Sequence, residues 1–143
     1  MTDENRLRSF VRAVEQARRI VFFGGAGVST ESGVPDFRSE DGLYRQKFRY
    51  PPEVMLSHDF FWKHTEEFFA FYREKLLPVG IQPNATHRKL AQLERCGKLR
   101  AVVTQNIDGL HQLAGSRNVF ELHGSTLRNH CVRCGRAWPV EAV

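Results

Sequence analysis

An α/β domain built on a parallel sheet, with helices on both faces, is the fold class this sequence predicts. Three observations carry that prediction. The short runs 20–23, 99–104 and 119–122 are rich in apolar and β-branched residues and fit buried parallel strands. Segments of helical periodicity separate them. Each run also ends in a polar, glycine-containing turn: Gly24-Gly25-Ala26-Gly27, Gln105-Asn106-Ile107-Asp108-Gly109 and His123-Gly124. Ligands of open parallel sheets sit beyond the carboxyl ends of the strands, so function is expected at these turns.

The elements follow in chain order. Leu7, Phe10, Val11, Val14 and Ala17 recur at helical spacing, with Asp3 as the expected cap and Arg18-Arg19 in the expected last turn. The first strand and its glycine turn come next. The stretch 33–52, rich in Pro, Gly and charge, reads as a long ordered loop, a feature usually tied to function. A single helix packed with aromatics is expected over 59–77. Asn84 caps another, carrying Leu90 and Leu93 and stopped by Gly97. After the third strand the pattern changes to Cys131-Val132-Arg133-Cys134-Gly135.

Composition narrows the function classes. The 143 residues suit one domain, or part of a larger one, and 41% hydrophobic with 26% charged residues is the balance of a globular chain. A membrane helix needs roughly 20 consecutive apolar residues, and the runs here are far shorter. The opening Met1-Thr2-Asp3-Glu4-Asn5-Arg6 lacks the apolar core of a secretory signal. Three cysteines are too few for a disulfide framework, so a reduced, cytoplasmic chain is expected. The net charge of +5 is scattered rather than striped, so no nucleic-acid partner is expected.

Five features carry chemistry. Gly25-Ala26-Gly27 lets backbone approach a pyrophosphate, and the start of a following helix would favour an anion; packing is the competing reading. No acidic residue ends the second strand to hold a ribose, which disfavours an ordinary NAD dehydrogenase. Pro35-Asp36-Phe37-Arg38 offers an aromatic face and a guanidinium, or simply a turn with an ion pair. Gln105-Asn106-Ile107-Asp108 suits sugar hydroxyls and a carboxamide, or else Asp108 caps a helix. His123, at a strand's carboxyl end beside a glycine, is a candidate general base, imidazole being the side chain suited to that task at neutral pH, with a purely structural histidine as the competing reading. Cys131 and Cys134 read as half of a four-cysteine zinc site, with a redox pair as the alternative; His130 is poorly placed to join them, and Cys96 is expected to be a buried thiol.

Together these segments resemble the sirtuin family of NAD-dependent protein lysine deacylases, its bacterial members above all. The carrying residues are 25–39 (Gly-Ala-Gly-Val-Ser-Thr-Glu-Ser-Gly-Val-Pro-Asp-Phe-Arg-Ser), 104–111 (Thr-Gln-Asn-Ile-Asp-Gly-Leu-His), Leu122-His123-Gly124 and the Cys131/Cys134 knuckle. The resemblance implies a Rossmann-like domain over residues 1–128, interrupted by a helical segment at about 40–80, and the first half of a zinc module over 129–143. It further implies that Ala26, Thr30, Phe37 and Arg38 line NAD, that Gln105 and Asn106 contact the nicotinamide-side ribose, and that Ile107 and Asp108 hold the carboxamide. By the same resemblance the oxygen of an acetylated lysine attacks the ribose carbon as nicotinamide leaves, and His123 is the base acting on a ribose hydroxyl. The products would be lysine, nicotinamide and O-acyl-ADP-ribose. Sirtuins are longer than this chain, so an N-terminal portion, inactive by itself, is expected. Phe69 and Tyr72 stand where family members that prefer acidic acyl groups carry a Tyr-x-x-Arg pair, which implies deacetylation rather than desuccinylation. The alternatives are a non-catalytic NAD or ADP-ribose binding module and a zinc-ribbon nucleic-acid module.

Overall fold

The computed structural model describes residues 2–36, 42, 47–77 and 80–143. Its centre is a three-stranded parallel sheet in the order β1 (Ile20–Gly24), β2 (Leu99–Thr104), β3 (Val119–Glu121). The strand expectations hold, the third being one residue shorter than read. Rossmann-like parallel architecture is thus the fold class.

One face of the sheet forms the core. Ile20, Phe22, Leu99, Val102 and Val119 pack against Leu90 and Leu93 of α5 (Ala85–Arg95). Burying each such side chain is worth roughly 1.5–3 kcal/mol, and Val102 is wholly buried. On the other face Val21, Phe23 and Phe120 are each more than half exposed, so helix cover is seen on one face among the described residues.

The expected first helix forms as α1 (Asp3–Gln16). Thr2, not Asp3, is the cap, and the helix ends before Arg18-Arg19. Its apolar stripe is real, but Leu7 and Phe10 lie exposed. The tie from α1 to the sheet is polar: Lys98 Nζ donates to the carbonyls of Val14 and Glu15 at its C-terminal end. Periodicity reports which residues share a face, not what covers it.

The single helix expected over 59–77 is two. α3 (His58–Lys63) and α4 (Thr65–Lys75) meet at His64, whose backbone (φ −134°, ψ 52°) is not helical. The ring of His64 stacks on Phe60 at 4.8 Å, and Thr65 Oγ1 caps the break by donating to the Phe61 carbonyl. α2 (Pro52–Met55) precedes them, and Met55, Phe60 and Phe71 form a second core with Phe48 and Tyr50 packed around it. Residues 37–41 and 43–46 of the long loop 33–52 lie outside the described residues.

α5 begins as expected at Asn84, which makes a full capping box with His87. It ends at Cys96, and Gly97 takes the left-handed φ of 73°. Cys96 is exposed there, correcting the expectation of a buried thiol: the C-cap position points it past the last turn rather than onto the sheet. The short α6 (Leu110–Leu113) packs on α5, and β4 (Asn129–His130) pairs antiparallel with β5 (Ala137–Trp138) in a separate hairpin.

Candidate active site

The ladder itself brings the three motif turns together. Gly24 pairs with Thr104, and Thr104 with Glu121, so the strands end in one row. Two more parallel-type bonds continue the row: Gln105 N–H to the Gly24 carbonyl (3.0 Å) and Leu122 N–H to the Thr104 carbonyl (2.9 Å).

Beyond Gly25 the chain makes two single turns of 3₁₀ helix, Ala26–Val28 and Thr30–Ser32, rather than the α-helix the glycine motif led us to expect. A three-residue turn has little macrodipole, so anion binding by a helix N-terminus has no support here. Gly25 has a packing reason instead: a Cβ there would stand 3.1 Å from Gln105 Oε1. Ala26 is half-buried and Thr30 exposed, its hydroxyl turned back onto the Gly27 carbonyl. Phe37 and Arg38 lie outside the described residues.

A buried polar hub lies beneath this loop. Ser29, fully buried, donates its hydroxyl proton to Asp108 Oδ2 at 2.7 Å and accepts from Asn106 Nδ2 at 2.9 Å. A hydroxyl has one proton, so His87 Nε2, 3.5 Å away, must be the donor in its contact with Ser29 Oγ. His87 Nδ1 is then free to accept the Asn84 N–H, as the capping box requires. Asn84 Nδ2 reaches the Val28 carbonyl at 2.7 Å. Asp108 Oδ1 accepts the Leu110 N–H at the start of α6, whose N-cap position is Gly109 rather than the expected Asp108. Burial holds the His87 imidazolium below its ordinary range, against the opposing pull of Asp108. His111 packs its ring 4.7 Å from that of His87.

Sequence reasoning does not single out Ser29, Asn84, His87 and His111 as site residues. Pro83-Asn84 and His87 had a legible signal, since a cap residue followed three places on by a histidine is a capping box. Their convergence with Ser29 is a long-range fact with no local trace.

His123 is exposed, and its Nδ1 lies 3.0 Å from the Gln105 carbonyl. A carbonyl only accepts, so Nδ1 carries the proton in the neutral ring and Nε2 keeps its lone pair for incoming protons. Gln105 is exposed beside it; Asn106 and Asp108 are buried and Ile107 half-buried, so one turn supplies both a surface and a foundation.

The cysteine knuckle is elsewhere. The hairpin β4–β5 closes by Cys131 N–H to the Arg136 carbonyl and Gly135 N–H to the Cys131 carbonyl. The N–H groups of Cys134 and Arg133, with the Cys134 thiol, lower the pKa of Cys131. No third His, Cys, Asp or Glu joins this pair among the described residues. A tetrahedral structural zinc takes four ligands, so the residues present do not close such a site. A groove of about 560 Å³ runs between the hairpin and α4, with Phe61, Phe69, Tyr72 and Trp138 among its walls. Among the described residues, the aromatics of α3 and α4 thus build this groove and the second core. Arg73 is engaged there, donating to the Val143 carbonyl.

Fold and site define a Rossmann-like α/β protein whose motif-bearing loops lie at the carboxyl ends of its strands. Residues 25–143 match the Sir2 family, and the chain belongs to it. It is 60% identical over 141 residues to the NAD-dependent protein deacetylase of Clostridium acetobutylicum, covering 97% of this chain and 58% of that one. Against the NAD-dependent protein deacetylase of Clostridium tetani the identity is 62% over 132 residues, covering 91% and 53%. A Sir2 solved with p53 peptide and NAD+ superposes with a TM-score of 0.80 at 44% identity, covering 96% and 53%. Another, with deacetylated p53 peptide and 3'-O-acetyl ADP-ribose, gives 0.85 at 43%, covering 94% and 54%. The chain spans about half the length of the curated relatives it matches.

Proposed function

We propose that this chain carries the NAD-binding and proton-transfer part of an NAD-dependent protein lysine deacetylase. The observation that carries the proposal is the seat of His123: Nδ1 anchored on the Gln105 carbonyl, Nε2 free, beside a turn whose Asn106 and Asp108 are held from below by Ser29. NAD, when bound, supplies the ribose carbon that takes the acyl oxygen of the lysine while nicotinamide leaves.

The chain's own residues then have these tasks. Ala26, Thr30, Phe37 and Arg38 line the dinucleotide. Gln105 and Asn106 meet the nicotinamide-side ribose, and Ile107 and Asp108 the carboxamide. His123 Nε2 accepts a proton from a ribose hydroxyl, a task suited to a neutral imidazole of fixed tautomer. The substrate is acetyl-lysine in a protein or peptide, and neither membrane nor nucleic acid takes part. Among the described residues no helix is long and apolar enough to cross a membrane.

Two domains are assigned, residues 1–128 and 129–143. In the second, Cys131 and Cys134 supply one half of a structural zinc knuckle, a role supported by their donor chemistry and hairpin. Cytoplasmic residence accords with three cysteines that form no disulfide.

The test is to extend this chain to the full length of its relatives, supply acetylated peptide and NAD, and quantify nicotinamide and O-acetyl-ADP-ribose. His123→Ala should lower both by at least about 100-fold, the usual scale for a lost general base. Unchanged rates, or free acetate as the acyl product, would refute the mechanism. A pure NAD or ADP-ribose binding module would instead bind NAD equally well with and without His123 and release nothing.

A further inference from the structure

The loop after β3 is fastened to the loop after β2 at three points. His123 Nδ1 takes the Gln105 carbonyl. Further on, Thr126, three residues past His123, takes the carbonyl of Ile107, two past Gln105, twice: by its backbone N–H at 3.0 Å and by Oγ1 at 2.9 Å. Leu127 then lies over Gly109, where φ is +70° and a Cβ would come within 2.6 Å of Leu127 Cδ1. Thr126 is 2% exposed. Its hydroxyl is directed to a carbonyl 19 residues away rather than to its own turn.

We infer that Thr126 is a positioning residue for the nicotinamide-side loop. The Ile107 carbonyl and the Asp108 N–H are the two ends of one rigid peptide plane. A carbonyl oxygen has two lone pairs, and here one residue engages it with two donors. The plane is therefore fixed, and with it the direction of the Asp108 N–H and the root of the Asp108 side chain, whose carboxylate Ser29 holds from the other side. One end of the loop is fixed through backbone and the other through the hub. This inference rests on the reading of Ile107 and Asp108 as the carboxamide seat.

A structural threonine would only support the fold, whereas a positioning threonine discriminates between ligands that differ in the nicotinamide. The variants are Thr126→Val, which keeps the shape and the backbone bond but loses the hydroxyl, and Thr126→Ser, which restores it. Two readouts apply to the 143-residue chain: titration calorimetry with NAD and with ADP-ribose, and the ¹⁵N order parameter of Asp108 in the ligand-free chain. Thr126→Val should weaken NAD about fivefold, the scale of one net hydrogen bond, and leave ADP-ribose within about twofold. The Asp108 order parameter should fall below those of β2, and Thr126→Ser should restore both quantities. Equal weakening of both ligands, no weakening of NAD, or an unchanged Asp108 order parameter overturns the inference. A wild-type chain that binds neither ligand overturns the NAD reading instead, and the order parameter then decides the positioning alone.

Discussion

Replacing His111 by phenylalanine should flatten the acid limb of the stability curve. His111 is 1% exposed, and neither ring nitrogen has a hydrogen-bond partner among the described residues. Burial, and then the neighbouring His87, push its pKa from 6.5 down to about 4, with Asp108 pulling the other way. The unfolded chain takes up this proton near 6.5; the folded chain refuses it until about pH 4. The contribution to stability is therefore complete above pH 6.5 and is lost as pH falls towards 4. From about pH 7.5 to about pH 5 the loss from this residue alone is about 2 kcal/mol. His87, also held down by burial, adds to it in the same direction. Phenylalanine keeps the ring against His87 and Phe22 and brings no orphaned nitrogen. Near neutral pH the variant should therefore be within about 1 kcal/mol of the wild type, since no hydrogen bond is broken. Urea unfolding at both pH values measures the difference. A His111→Phe chain that loses as much stability on acidification as the wild type would refute the assignment of the acid limb to this imidazole.

Asn84→Ala removes acceptors for the Thr86 and His87 N–H groups and the donor to the Val28 carbonyl, so a loss of about 2 kcal/mol is expected in urea unfolding. Gly109→Ala forces a Cβ into Leu127 at a positive φ, and should cost at least about 1–2 kcal/mol by the same measurement. Ser29→Ala leaves Asp108 Oδ2, Asn106 Nδ2 and His87 Nε2 each without the hydroxyl they share; NAD affinity, read by calorimetry, should fall by more than about tenfold. When this chain is extended to the full length of its relatives, acetyl-lysine peptide should be turned over faster than succinyl-lysine peptide in a nicotinamide-release assay. By the family resemblance Phe69 and Tyr72 stand where a Tyr-x-x-Arg pair would meet an acyl carboxylate, so neither position brings a guanidinium to it.

The sequence by itself determined the parallel sheet, the capped α5 and the three strand-end turns. These depend on local chemistry: unbroken apolar runs, a cap residue at the right offset, glycines where backbone must turn. It also determined the family, because four motifs in order are more specific than any single loop. Tertiary structure alone decided the rest. The aromatic helix breaks at His64, whose non-helical backbone no feature of the apolar spacing announces. The glycine turn continues as 3₁₀ turns because Ser29 is drawn down to Asp108, 79 residues further along the chain. Ser29, His87, His111 and Thr126 joined the site only in three dimensions. Ser29 and His111 lie inside the family motifs and His87 in a capping box, but the partners that give them meaning are brought near only by the packing of the chain. A hydrogen bond between distant segments is a property of the packed chain, so no window of sequence contains it.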